Sequence, residues 1–114
     1  MILSARDLFK EEEKKCGGKS YCPKEQRIEK YGKITSDIAY RIIKRVRWIG
    51  SNSLYDVEVL SRNEDGTYKR TIKGFWNETE PGGGNIIGKK YKGALEYANE
   101  YIQELIDNPN KAFE

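Results

Sequence analysis

The residues best suited to binding a charged ligand are concentrated between Arg41 and Trp48. This stretch reads Arg-Ile-Ile-Lys-Arg-Val-Arg-Trp, so four of its eight residues are cationic and an aromatic residue closes it. Guanidinium and ammonium groups bind phosphate oxygens, and an aromatic ring can stack on a nucleobase. The stretch therefore indicates a nucleic-acid-binding surface.

Residues for covalent or metal chemistry are scarce. Histidine is absent from the 114 residues, which removes the commonest general base near neutral pH and the commonest metal ligand. Cys16 and Cys22 are separated by five residues, and two ligands are too few for a structural zinc site. A disulfide between them is sterically allowed, but we favour two free thiols. We therefore predict a non-enzymatic protein with no cofactor and no metal.

The composition predicts one folded domain over residues 1–114, with a thin core and a charged shell. The sequence is 37% hydrophobic and 34% charged, with a formal net charge of +3. Such a balance permits nucleic-acid binding without demanding it. The first residues do not form a signal peptide, and no apolar run is long enough for a membrane span. We expect a cytoplasmic location and no membrane partner.

Helix signals dominate the first third of the chain. Ser4 is a good N-cap for a helix that extends to Lys15, and Gly17 follows as a stop signal. Pro23 suits the first position of a second, short helix, which we predict to continue to Tyr31.

The middle of the chain predicts strands. Residues 36–49 allow either a helix or a strand, and we favour a helical turn near Ser36 that passes into a strand from Ile42 to Ile49. Two alternating segments follow, and the Asn63-Glu64-Asp65-Gly66 loop between them is typical of a hairpin turn. These strands run from Leu54 to Ser61 and from Thr67 to Trp76, with a second turn at residues 50–53.

A glycine-rich loop at residues 77–88 leads to a last helix, from Lys90 to Asp107, which Asn108 and Pro109 end. Its predicted buried stripe is Tyr91, Leu95, Ala98, Ile102, Leu105 and Ile106. The expected architecture is α+β: a three-stranded antiparallel β-meander packed against a C-terminal helix, with one or two short N-terminal helices.

In this arrangement the cationic side chains share the sheet face away from the C-terminal helix. That face would be an open nucleic-acid-binding surface, and its expected contacts are Arg41, Arg45, Arg47, Lys69, Lys73 and Trp48. Asp56 and Glu58 from the central strand would also lie there, between the cationic rows. Because opposite charges on neighbouring strands pair, the same residues also predict a face neutralised by its own ion pairs.

The order of three strands and a helix, with basic strands, is similar to plant AP2 domains and the arm-binding domains of phage integrases, over about Tyr40 to Asp107.

A second hypothesis is an inhibitor or interaction protein of the phage or mobile-element type, such as an anti-defence protein. Its contact surface would be either the glycine-rich loop or the acidic, tyrosine-bearing last helix, at Tyr97, Glu100, Tyr101 and Glu104. The expected partner is therefore a nucleic acid or another protein.

Overall fold

The fold is a four-stranded antiparallel sheet held between two helices. The computed structural model describes residues 3–17, 23–45, 54–77 and 93–113. The strands lie in the order β1-β2-β3-β4, so each pairs with the next along the chain. The elements are α1 (Ala5–Lys15), β1 (Ile28–Lys33), β2 (Ile38–Lys44), β3 (Tyr55–Arg62), β4 (Tyr68–Phe75) and α2 (Ala94–Asp107), with 3-10 turns at Glu25–Arg27 and Pro109–Phe113.

Side chains alternate along the strands between two cores, one on each face of the sheet. On one face, α2 contributes Ala98, Ile102 and Leu105 to a core that includes Val57 and Val59 of β3. On the opposite face, the main apolar contacts of α1 join residues of β2 and β3: Ala5, Leu8, Phe9, Ala39 and Leu60. The predicted α+β meander against a C-terminal helix is confirmed, but the sheet has four strands rather than three.

The extra strand replaces a predicted helix. The segment from Pro23 to Tyr31 forms only a 3-10 turn before β1. Ile28 and Tyr31 are its only large apolar side chains, so a helix there would bury little. As a strand it pairs with β2 and brings the Tyr31 ring to 6.0 Å from the ring of Phe9.

A close backbone approach fixes this edge of the sheet. Gly32 lies directly across from Tyr40, and a Cβ built at Gly32 would lie 2.3 Å from the tyrosine ring and hydroxyl. Tyr40 is itself buried, so its ring has little room to move. A residue without a side chain is therefore required at this position.

The β1–β2 connection is a turn, which corrects the predicted helical turn near Ser36. The amide of Ile34 donates to the carbonyl of Ile38 over 2.8 Å, and the amide of Ile38 donates to the Thr35 hydroxyl over 3.1 Å. As a result β2 begins at Ile38, four residues before the predicted start. Its predicted end, residues 46–49, and the turn at 50–53 lie outside the described residues.

The hairpin between β3 and β4 is confirmed. Gly66 has φ 86°, the left-handed conformation that the loop needs. The amide of Gly66 donates to the carbonyl of Asn63 over 3.0 Å, and the amide of Asn63 donates to the carbonyl of Thr67 over 2.8 Å. These bonds set the register of the whole hairpin.

Helix α1 occurs where the sequence predicts it, whereas α2 begins at Ala94, after an extended Gly93, and not at the predicted Lys90. The Ser4 hydroxyl accepts from the amide of Asp7 over 3.2 Å, and Gly17, just past α1, has φ 59°. In α2, Ala98, Ile102 and Leu105 are buried as expected, whereas Leu95 and Ile106 are 37% and 46% exposed. The predicted first residues of this helix, 90–92, and the glycine-rich residues 82–88 lie outside the described residues.

Candidate nucleic-acid interface

Arg41 is buried and does not reach an open surface. Its side chain is 0% exposed because α1 covers this face of the sheet. Its Nε donates to Glu58, directly opposite on β3, and its Nη1 donates to Glu13 of α1 over 2.9 Å. The guanidinium also lies 4.3 Å from the ring centre of Phe9. The predicted exposure of Arg41 is wrong, and the cross-strand ion pair is what forms.

Glu58 links Arg41 to a wider ion cluster beneath α1, in which Arg70 is partly exposed. The cluster consists of Glu12, Glu13, Arg41, Glu58 and Arg70. The second carboxylate oxygen of Glu58 lies 3.5 Å from the Nε of Arg70, and Nη1 of Arg70 lies 3.8 Å from Glu12. Burial raises the pKa of Glu58 although both arginines oppose it. Burial lowers the pKa of Arg41, but Glu58 and Glu13 outweigh it and raise the pKa overall. The cluster fastens α1 to the sheet.

Lys69 and Lys73 lie on the opposite face from Arg41. The hairpin register pairs Lys73 with Val57 and Lys69 with Ser61, so both lysines point to the α2 side. There the Nζ of Lys73 lies 4.7 Å from the ring centre of Tyr101. The prediction that these lysines share a face with Arg41 is therefore wrong. Arg47 and Trp48 lie outside the described residues.

Three other cations meet at one end of the sheet, in what we call the strand-end pocket. It has a volume of about 520 Å³, and its described lining residues are Gln26, Arg27, Lys44, Arg45, Leu54, Tyr55 and Asn77. Arg27, Lys44 and Arg45 are exposed, whereas Leu54 and Tyr55 are half-buried. No carboxylate is among these described lining residues, which therefore combine positive charge with an apolar surface.

Local pairing brings these residues together. Lys44 lies opposite Tyr55 across β2 and β3, and the amide of Arg45 donates to the carbonyl of Leu54 over 2.9 Å. Nη1 of Arg45 also donates to Asp56 over 3.1 Å, and the Arg45 side chain is 40% exposed. Arg27 comes from the 3-10 turn before β1. Of the predicted contacts that lie within the described residues, Arg45 alone lines this pocket. The helix that the sequence predicts from Pro23 to Tyr31 gives no indication that Arg27 would lie here.

A second cavity, of about 380 Å³, lies between α1 and the β3–β4 hairpin and is lined by charges of both signs. Arg62 lies 3.9 Å from Glu11 and 3.8 Å from Asp37, and Lys15 lies 3.5 Å from Glu11. Because these charges pair with one another, the cavity has no dominant sign for a ligand to recognise.

The predicted protein-contact residues of α2 are partly engaged within the chain. The Tyr101 ring lies 5.5 Å from the ring of Phe75, and Tyr97 packs against the edge of the α2 core. Glu104 accepts from Lys111 over 2.6 Å, while Glu100 is exposed. The two tyrosines therefore widen the core on the α2 side of the sheet.

Ionisation of the Tyr68 hydroxyl can be used to test the contact between α1 and the sheet. This hydroxyl donates to Glu11 over 2.5 Å, and burial, followed by this bond, raises its pKa from 10.0 to about 12. Because the pKa of Tyr68 is raised in the folded state, its hydrogen bond to Glu11 stabilises the fold fully below pH 10.0. This stabilisation is lost as the pH rises toward about 12. In an absorbance titration of tyrosinate, Tyr68→Phe should remove a late-ionising component that Tyr97→Phe retains. A wild-type titration with a single midpoint near pH 10.0, and no late-ionising component for Tyr68→Phe to remove, would contradict this expectation.

No protein-family model, no curated protein and no solved structure matches this chain. The similarity to plant AP2 domains and integrase arm-binding domains stays a prediction based on strand order. Within the described part of the chain, neither helix has the length and apolar character needed to cross a bilayer.

Proposed function

We propose that this protein is a small, non-enzymatic nucleic-acid-binding module whose phosphate-binding surface is the strand-end pocket. The observation that carries the proposal is the grouping of Arg27, Lys44 and Arg45 around Tyr55, without a carboxylate among the described lining residues. Cations that contact phosphates supply most of the sequence-independent affinity of such proteins. This surface replaces the open sheet face that the sequence predicts.

A single strand fits this pocket better than a duplex. Its volume of about 520 Å³ is in the range of small-molecule sites, so it can admit one nucleotide unit. Arg27 and Lys44 would contact phosphates, while the half-buried Tyr55 would offer its ring to an unstacked base. Bases in a duplex are already stacked and do not expose their faces in this way.

The test is fluorescence anisotropy with a labelled single-stranded oligonucleotide and its duplex, at about 50 and 200 mM salt. The wild type should bind the single strand more tightly and lose affinity as salt rises. Arg27→Ala/Lys44→Ala should weaken binding and lower the slope of log K against log salt by about 1.4, or about 0.7 for each phosphate contact. Arg45 is kept because it also bonds Asp56.

The matched control is Lys14→Ala/Lys30→Ala, which removes the same charge at two exposed positions that do not line the pocket. We expect it to retain the wild-type slope. Equal losses in the two double variants would mean that net charge, not the pocket, drives binding. Absence of salt-dependent binding by the wild type at low salt would overturn the proposal.

A further inference from the structure

The outer edge of β4 presents main-chain groups that are not used within the sheet. β4 pairs with β3 alone, and the described residues contain no strand beyond it. The Asn63–Thr67 hydrogen bond and the hairpin register mean that alternate residues, from Lys69 to Phe75, bond to β3. The amides and carbonyls of the intervening residues therefore point away from the sheet, and these residues are Tyr68, Arg70, Ile72 and Gly74.

The side chains along this edge define what could pair with it. Lys69 and Lys73 are exposed on the α2 side, and Ile72 is 44% exposed on the α1 side. The strand, Tyr-Lys-Arg-Thr-Ile-Lys-Gly-Phe, has no carboxylate, and because Arg70 is paired with Glu12 and Glu58, its exposed cations are Lys69 and Lys73. A second copy of β4 would place cations beside cations, which is unfavourable. An acidic strand would be attracted to the same edge.

We propose that the outer edge of β4 binds an extended segment of a partner protein that alternates acidic and apolar residues. Strand addition would satisfy the outward main-chain groups. The acidic side chains would lie beside Lys69 and Lys73, and the apolar ones would cover Ile72 on the other face. Outward amide and carbonyl groups at strand spacing suit a peptide backbone better than a row of phosphates. This inference does not depend on the strand-end pocket.

The probe is a synthetic peptide that alternates glutamate and valine over the length of β4, titrated into the full chain labelled with ¹⁵N. We expect the amide of Ile72 to become protected from hydrogen exchange, because this amide points outward. Ile72→Pro, which removes one outward donor without removing a bond to β3, should weaken peptide binding by about tenfold or more, equivalent to about 1.4 kcal/mol. Ile72→Thr keeps that donor and should bind more tightly than the proline variant.

A second variant keeps the test decisive if the proline variant fails to fold. Lys69→Glu/Lys73→Glu changes only exposed side chains and should reverse the preference toward a peptide that alternates lysine and valine. Binding that neither variant alters would overturn the proposal. Protection of the β4 edge by a single-stranded oligonucleotide but not by the peptide would also overturn it, and would assign the edge to nucleic acid.

Discussion

Arg41→Met is expected to lower the free energy of unfolding by about 3–5 kcal/mol, the usual cost of removing one partner from a buried ion pair. Arg41 and Glu58 are both 0% exposed, so the variant leaves the Glu58 carboxylate buried without its main neutralising partner. Arg70, whose Nε is 3.5 Å from Glu58, offers only partial compensation. Urea unfolding of the wild type and the variant measures the difference.

Two matched variants isolate the buried pair. Arg45→Met removes an arginine whose side chain is 40% exposed, and it should cost about 1 kcal/mol or less. Arg41→Met/Glu58→Leu removes both partners and should be more stable than Arg41→Met alone, because no carboxylate is then buried at position 58. A loss below about 1 kcal/mol for Arg41→Met would contradict the buried-pair interpretation.

The pH dependence of Arg41→Met should identify Glu58 as the source of the loss. Burial already raises the pKa of Glu58 above its ordinary value, and removal of Arg41 raises it further. A raised pKa in the folded state means that protonation favours folding, so the stability deficit should shrink as the pH falls through the pKa of the folded state. Arg41→Met/Glu58→Leu should lack this recovery.

Phe9→Ala is expected to destabilise the protein by about 3–5 kcal/mol, because it removes a fully buried aromatic side chain. The Phe9 ring is 0% exposed and contacts both Tyr31 and the Arg41 guanidinium, whose carbon is 4.3 Å from the ring centre. The loss therefore combines a cavity with a lost cation–π contact. Hydrogen exchange should show reduced protection in α1 and near-normal protection in α2.

Leu105→Ala is the matched control on the opposite face, since Leu105 is also 0% exposed. It should cost about 2–5 kcal/mol but reduce protection in α2 instead of α1. If both variants changed exchange equally across the two helices, the faces would form one cooperative unit. That result would contradict the separate attachment of α1.

Local signals in the sequence predict much of the fold. The Ser4 cap, the Asn63–Gly66 hairpin and the stop at Asn108 depend on a few neighbouring residues, and each occurs in the structure. β1 was missed because its stability depends on pairing with β2, which no local pattern reveals. The exposure of Leu95 and Ile106 likewise depends on which parts of α2 reach the sheet.

The sequence predicts less of the candidate site than of the fold. Glu12 and Glu13 resemble ordinary surface charges on a helix, yet they approach Arg70 and Arg41 from a distant part of the chain. This docking converts the expected basic face into a covered one. Sequence alternation separates the two faces of β4 but does not reveal which face α2 covers. The strand-end pocket combines residues from four separate segments, and among its described lining residues the sequence predicts only Arg45 as a contact.

The neighbour-to-neighbour order of the strands has a consequence for folding kinetics. Because every strand pairs with the next along the chain, the sheet can grow hairpin by hairpin, and the β3–β4 pair needs only its short Asn63–Gly66 connection to close. Low sequence separation between partners speeds folding. The helices from the two ends of the chain must then dock on opposite faces of the sheet, so we expect their attachment to follow formation of the β3–β4 hairpin.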